Sequence, residues 1–219
     1  MEFFSKLLER FLDLLFPPRC VFCQKLLESG MHICQNCMNT LPTTGPEAVQ
    51  RLESIDRCCS PLFYEGNVRS SLLRYKFGGA SSYAEVYGEF LSKCIDENDI
   101  SCDSITWVPL SKKRLRKRGY DQARLLAEAL ARRQGLPCVP TLQKVHNNRV
   151  QSTLRDAKQR KRNVRGVYEA LPETTLIGAH ILLVDDIVTT GSTLSECARV
   201  LQNAGAIQVS AAAVARKRT

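Results

Sequence analysis

Two adjacent carboxylates, Asp185 and Asp186, close an apolar run, Ala179–Val184, and a hydroxyl-rich turn follows at once: Thr189, Thr190, Gly191, Ser192 and Thr193. The run is almost wholly apolar and reads as a buried parallel strand. In open parallel sheets ligands sit beyond the carboxyl ends of strands, and the first N–H groups of the next helix cradle phosphate. Threonine and serine hydroxyls add donors to such a cradle, and Gly191 admits close backbone approach. Paired acids beside an anion cradle would repel phosphate unless the ligand also presents hydroxyls or a metal there. A ribose phosphate presents both. No lysine follows the glycine, so this is not a Walker loop. An ordinary strand–turn–helix explains Thr190 or Ser192 as a helix start, but not the carboxylate doublet.

The second constellation is Cys20-x2-Cys23, ten residues, then Cys34-x2-Cys37. Each short knuckle points two sulfurs one way, and two knuckles place four thiolates around Zn²⁺. The surrounding segment has few large side chains, so the metal supplies folding free energy. With four protein ligands no position is left for a catalytic water, and the zinc is expected to be structural. His32 is the alternative fourth ligand. Cys58, Cys59, Cys94, Cys102, Cys138 and Cys197 show no second metal spacing and read as small buried apolar residues. Ten cysteines in all point to a reducing compartment, the cytoplasm.

Charge is unevenly spread. The chain has 219 residues and a net charge of +9. Residues 111–165 hold 17 Lys or Arg against three acidic residues, while the rest of the chain is slightly acidic. Within this stretch six of the eight residues 111–118 are basic, and residues 149–165 carry seven cations against Asp156. Two such runs at one end of a sheet would form a continuous positive surface, suited to nucleic-acid phosphates. The candidate contacts are Arg116, Lys117, Arg118, Arg160, Lys161 and Arg162. Tyr120 either stacks on a base or packs inward.

These groups need elements to hold them. Apolar periodicity predicts an amphipathic helix in residues 1–18, then the four-cysteine module over 19–58, then an α/β domain over 59–219. In that domain the pattern predicts strands at Leu62–Tyr64, Ser104–Leu110, Pro137–Val145, Val167–Ala170, Ala179–Val184 and Ile207–Ala215. Helices are expected at Val68–Phe77, Tyr83–Ile95, Asp121–Arg133 and Ser192–Asn203, with a basic loop after Pro109. At 44% apolar and 24% charged the composition excludes fibrous and wholly disordered classes. No stretch reaches the roughly 20 apolar residues of a membrane span, and no secretion signal is expected.

The segment Ile181–Thr193 resembles the phosphoribosyl-pyrophosphate motif of type I phosphoribosyltransferases. The resemblance implies a parallel sheet flanked by helices. Asp185 and Asp186 would hold the ribose 2′- and 3′-hydroxyls, Thr189 to Thr193 the 5′-phosphate, and Mg²⁺ would bridge the diphosphate. By the same resemblance Trp107–Leu110 is the first core strand, with Lys112, Lys113 and Arg114 near the diphosphate. Residues 146–165 would be the flap that closes over substrate, with Arg149 or Arg155 facing departing pyrophosphate. Thr189 stands where purine-salvage members commonly carry Asp, which argues against purine salvage.

With the cysteine module in front, Arg118-Gly-Tyr-Asp-Gln-Ala123 after the basic run and Gln151-x2-Leu154 through Arg160, Arg162, Asn163 and Val164, the chain is similar to the ComF family. That family is associated with natural transformation. Its implied partners are single-stranded DNA, phosphoribosyl pyrophosphate, and DNA-uptake or DNA-processing proteins. No catalytic residue is assigned by the motif. An active phosphoribosyltransferase of nucleotide metabolism, with an unidentified acceptor, is the alternative.

Overall fold

The computed structural model describes residues 17–146, 164–173 and 176–218. Residues 1–16 of the expected N-terminal helix lie outside the described residues, as does most of the expected flap, with Arg149, Arg155, Arg160, Lys161 and Arg162.

The architecture is α/β. The main sheet runs β1 (Val49–Leu52), β2 (Ile55–Cys59), β8 (Gln208–Arg216), β7 (His180–Val188), β4 (Ser104–Trp107), with β3 (Leu62–Phe63) also paired to β8. All pairings are parallel except the β1–β2 hairpin. A separate antiparallel pair is formed by β5 (Leu142–Lys144) and β6 (Tyr168–Ala170). The hairpin over Val49–Cys59 joins the main sheet. Cys58 and Cys59, at the edge of the predicted cysteine module, pair with Ala211 and Ala212 of the main sheet.

Strands β7 and β8 are buried on both faces, which explains their unbroken apolar runs. One face packs Leu182, Val184, Ala212 and Val214 against helices α2 (Gly66–Phe77), α3 (Tyr83–Asp96) and α5 (Gln122–Gln134). The other packs Ile181, Leu183, Ala211 and Ala213 against α6 (Ser192–Asn203). Helices α3 and α5 approach so closely that a Cβ on Gly88 would lie 2.9 Å from that of Ala129.

The basic run is not a loop. Lys112–Arg118 forms helix α4, started by Ser111, whose hydroxyl accepts from the Arg114 N–H, and stopped by Gly119 in the left-handed region at φ 81°. Like charges at i and i+4 oppose such a helix. The two caps and the adjoining turn hold it. Asp121 caps α5 and accepts from the Leu110 N–H at 3.0 Å, which ties the start of α5 to the end of the β4 loop.

The cysteine module is docked on the transferase-like layer. Its short helix α1 (Gln35–Thr40) starts at Cys34, whose sulfur accepts from Cys37 N. Phe22 is fully buried, its ring 6.2 Å from Tyr87 and 5.9 Å from Phe90 of α3. Arg74 of α2 donates to the Val21 and Phe22 carbonyls at 2.9 and 2.7 Å, and Ser71 donates to Val21 at 2.6 Å. Hydrogen bonds from a charged donor contribute about 1.5–3 kcal/mol each, so this seam is strong for its size.

Candidate sugar-phosphate site and metal centre

Strand β7 continues past Val184 and carries both acids before it ends at Val188. Alternation along the strand gives Asp185 and Asp186 opposite directions, and the Asp186 N–H donates to Asp185 Oδ1 at 2.8 Å. Asp186 is buried and bonded through Oδ1 to Lys76 Nζ at 2.9 Å, with only 11% and 19% of the two side chains exposed. Burial, and then the Asp186 charge, push Asp185 up to about 7 against the pull of Lys76. Lys76 thus pairs with Asp186 alone and reaches Asp185 only through space, leaving one ammonium against two carboxylates. A ligand bringing hydroxyl donors or a divalent ion fits that deficit.

The turn that follows is a cradle. Thr189 and Thr190 are exposed, Thr190 and Ser192 share a hydroxyl hydrogen bond of 2.9 Å, and no side chain caps α6. A helix start of this kind presents N–H groups and a positive dipole end, which favour an anion. Asp185, Ile187, Thr189, Gly191, Ser192 and Thr193 line a concavity of about 30 Å³, room for one small group. Gly191 sits at φ 71°, and a Cβ there would meet the Leu52 side chain at 2.6 Å. The unforeseen β1–β2 hairpin therefore braces the cradle from behind.

Helix α4 brings its cations to this end of the sheet unequally. Lys112, Lys113, Arg116 and Lys117 are exposed, whereas Arg114 and Arg118 are half-buried. Arg114 acts electrostatically on Lys144 and Tyr168, and both of these also feel the Asp185 charge. Arg118 donates to Gln122 Oε1 at 2.7 Å and lies 4.9 Å from the Phe77 ring centroid. Burial lowers the Arg118 guanidinium from its ordinary range. Tyr120 takes the inward alternative: its ring lies 5.9 Å from Tyr75 and its hydroxyl donates to the Tyr75 carbonyl.

Three contributors were invisible in the sequence. Lys76 sits on α2, far along the chain from Asp186. Lys144, at the end of β5, donates to the Tyr168 hydroxyl at 3.1 Å, and burial lowers it to about 8. Leu52 belongs to a hairpin whose alternation is broken by Gln50, Arg51 and Asp56. For Lys76 the only available signal was a cation between two aromatic residues in the last turn of a helix.

At the metal centre the Sγ atoms of Cys20, Cys23, Cys34 and Cys37 lie within 4.8 Å of one another. The Cys23 and Cys34 sulfurs are 3.6 Å apart, close to the about 3.8 Å that a tetrahedral site with Zn–S bonds of about 2.3 Å requires. The set fits a closed, structural zinc, and His32 is not part of it. Of the other cysteines, Cys58, Cys59, Cys94 and Cys197 are buried and Cys102 and Cys138 half-buried. Burial pushes the Cys58 thiol up to about 12, as suits an inert core group.

Comparison with known proteins gives the same two parts. Residues 121–219 match the phosphoribosyl transferase domain model and residues 11–49 the double zinc ribbon domain model. The chain is 36% identical over 208 residues to the DNA utilization protein YhgH of Salmonella typhi, covering 87% of this chain and 86% of that protein. It is 31% identical over 149 residues to the competence protein ComFC of Bacillus subtilis, covering 65% and 56%. Among solved structures, the adenine phosphoribosyltransferase of Thermoanaerobacter pseudethanolicus aligns at a TM-score of 0.42 with 17% identity, over 64% of this chain and 83% of that one.

Proposed function

The chain belongs to the ComF family, and from that premise we propose that it handles single-stranded DNA in natural transformation while binding phosphoribosyl pyrophosphate at the turn after β7. The observation that carries the ligand reading is the α6 N-terminus, which no side chain caps, with its hydroxyls, set directly after two carboxylates of which only Asp186 is paired with an ammonium, that of Lys76. In this reading the N–H groups and hydroxyls of Thr189 to Thr193 take the 5′-phosphate. Asp185 and Asp186 accept from the ribose hydroxyls. Arg114 and its α4 neighbours face the diphosphate, and Mg²⁺ travelling with that diphosphate would offset its charge. The exposed face of α4 supplies phosphate contacts to DNA, with steep salt dependence. Ten cysteines, none of them in a disulfide, accord with a cytoplasmic setting. DNA-uptake or DNA-processing proteins are the expected protein partners.

Calorimetric titration with phosphoribosyl pyrophosphate and Mg²⁺ tests the site. The Asp185→Asn, Asp186→Asn double variant is expected to lose at least about 100-fold in affinity, since two charge-assisted contacts are removed, while its zinc content stays intact. Unchanged affinity would remove the assignment. Titrating DNA in the presence of the sugar diphosphate, and the reverse, should show mutual exclusion because α4 serves both. One feature favours the enzyme reading: Lys144, half-buried against Tyr168, is lowered by burial to about 8, a range that suits proton transfer. Pyrophosphate release across a panel of nucleobases and amines would establish it.

A further inference from the structure

Phe77 ends helix α2 with 65% of its surface exposed, unusual for a large aromatic side chain in a folded domain. The Arg118 guanidinium covers it 4.9 Å from the ring centroid, and the rest of the ring faces solvent. The next residues, Gly78 and Gly79, are exposed and carry no side chain to shield it. Phe77 is also placed by the site: Lys76, its neighbour, bonds Asp186 at 2.9 Å, and Arg118 is fixed by Gln122 at 2.7 Å. Arg118 is the last residue of α4, which carries six cations, and among the described residues none of them forms an ion pair with a carboxylate. An exposed ring backed by a guanidinium from a helix rich in cations is the combination that single-strand binders use, because every base has a π-face and every nucleotide a phosphate. Tyr120, the aromatic expected for this role, has its hydroxyl and ring committed inside.

We infer that Phe77, backed by Arg118, is a stacking platform for a nucleobase at the rim of the sugar-phosphate site. This deepens the proposed function and rests on it for the source of the base, which is a DNA strand or a free nucleobase. The platform recognises aromatic bases without sequence preference, while the phosphates on either side are held by α4.

The test compares wild type with Phe77→Ala and Phe77→Trp, using fluorescence anisotropy with an oligothymidylate of about 12 nucleotides and an abasic strand of the same length. Wild type and Phe77→Trp should prefer oligothymidylate. Phe77→Ala should lose about 5- to 150-fold in affinity for it, the range of one lost base stack. Its affinity for the abasic strand and the salt slope should stay unchanged. Equilibrium dialysis with free thymine, uracil and adenine forms the second arm. Retention by wild type and loss in Phe77→Ala assigns the platform to free bases as well; retention by neither assigns it to the strand. The inference is overturned if Phe77→Ala matches wild type with every probe, if both strands weaken alike, or if wild type retains none of the probes. In that last case an intact phosphoribosyl-pyrophosphate titration would leave the sugar-phosphate reading standing.

Discussion

The four-cysteine cluster and the carboxylate turn both gather polar groups at chain reversals, yet one is closed and the other open. In the cluster three of the four sulfurs are buried, and Cys20 and Cys34 each accept a backbone N–H at 3.4 Å. Every donor points to one centre. At the turn no side chain caps the helix start, two threonines face solvent, and of the two carboxylates only Asp186 pairs with Lys76. A saturated set of ligands suits a structural site, and a helix start without a side-chain cap beside an excess of carboxylate suits the proposed binding site.

Removing the metal should break this contrast most severely. Chelation, or Cys34→Ser, is expected to cost at least about 5 kcal/mol of stability and to release Phe22 from Tyr87 and Phe90, with loss of near-ultraviolet circular dichroism as the measure. Sugar-diphosphate binding should fall in the same titration, because Arg74 and Lys76 share one helix turn. Binding that survived full metal loss would show that the two regions are independent.

Lys76→Ala acts at the open site alone. It should cost about 1–3 kcal/mol, below the full penalty of breaking a deeply buried pair because both side chains keep some exposure, and lower affinity for the sugar diphosphate about tenfold as the uncompensated carboxylates repel it. Chemical denaturation and calorimetry read the two effects. Gly191→Ala comes next, at about 1–2 kcal/mol from the left-handed backbone and the Leu52 contact. Adding Leu52→Ala should relieve the contact but not the backbone cost, so the double-mutant cycle separates them.

The smallest effect is one of pH. Folding raises Asp185 to about 7 from an unfolded value near 3.9. The folded state then holds the extra proton between these values, so stability present in acid is lost as pH rises from about 4 to 7. Asp185→Asn removes that slope and should gain about 1–2 kcal/mol at neutral pH, while losing ligand. Stability curves at both pH values check it.

The parts that were legible in the sequence are those whose residues lie close together in the chain. Cys20 to Cys37 and Asp185 to Thr193 each form a single local device, and the span Ser192–Asn203 matched its helix to the residue. What escaped was either long-range or locally frustrated. Helix α4 was expected as a loop because Lys112 and Arg116, Lys113 and Lys117, and Arg114 and Arg118 are like-charge pairs one turn apart. The hairpin at Val49–Cys59 escaped because polar residues break its alternation, and its edge position tolerates them. Lys76 and Phe77 owe their roles to a helix packed against a distant strand, and no local pattern encodes that.

Helix α2 carries one more consequence. Arg74, Tyr75, Lys76 and Phe77 are consecutive, yet they engage a zinc-knuckle carbonyl, the Gln122 carbonyl, Asp186 and Arg118 in turn. Neighbouring helical positions are rotated by roughly 100°, so a single residue inserted between Gly66 and Ser71 would swing all four away from their targets together. The helix works like a keyed shaft: its phase, more than any one contact, keeps the two ends of the molecule in step.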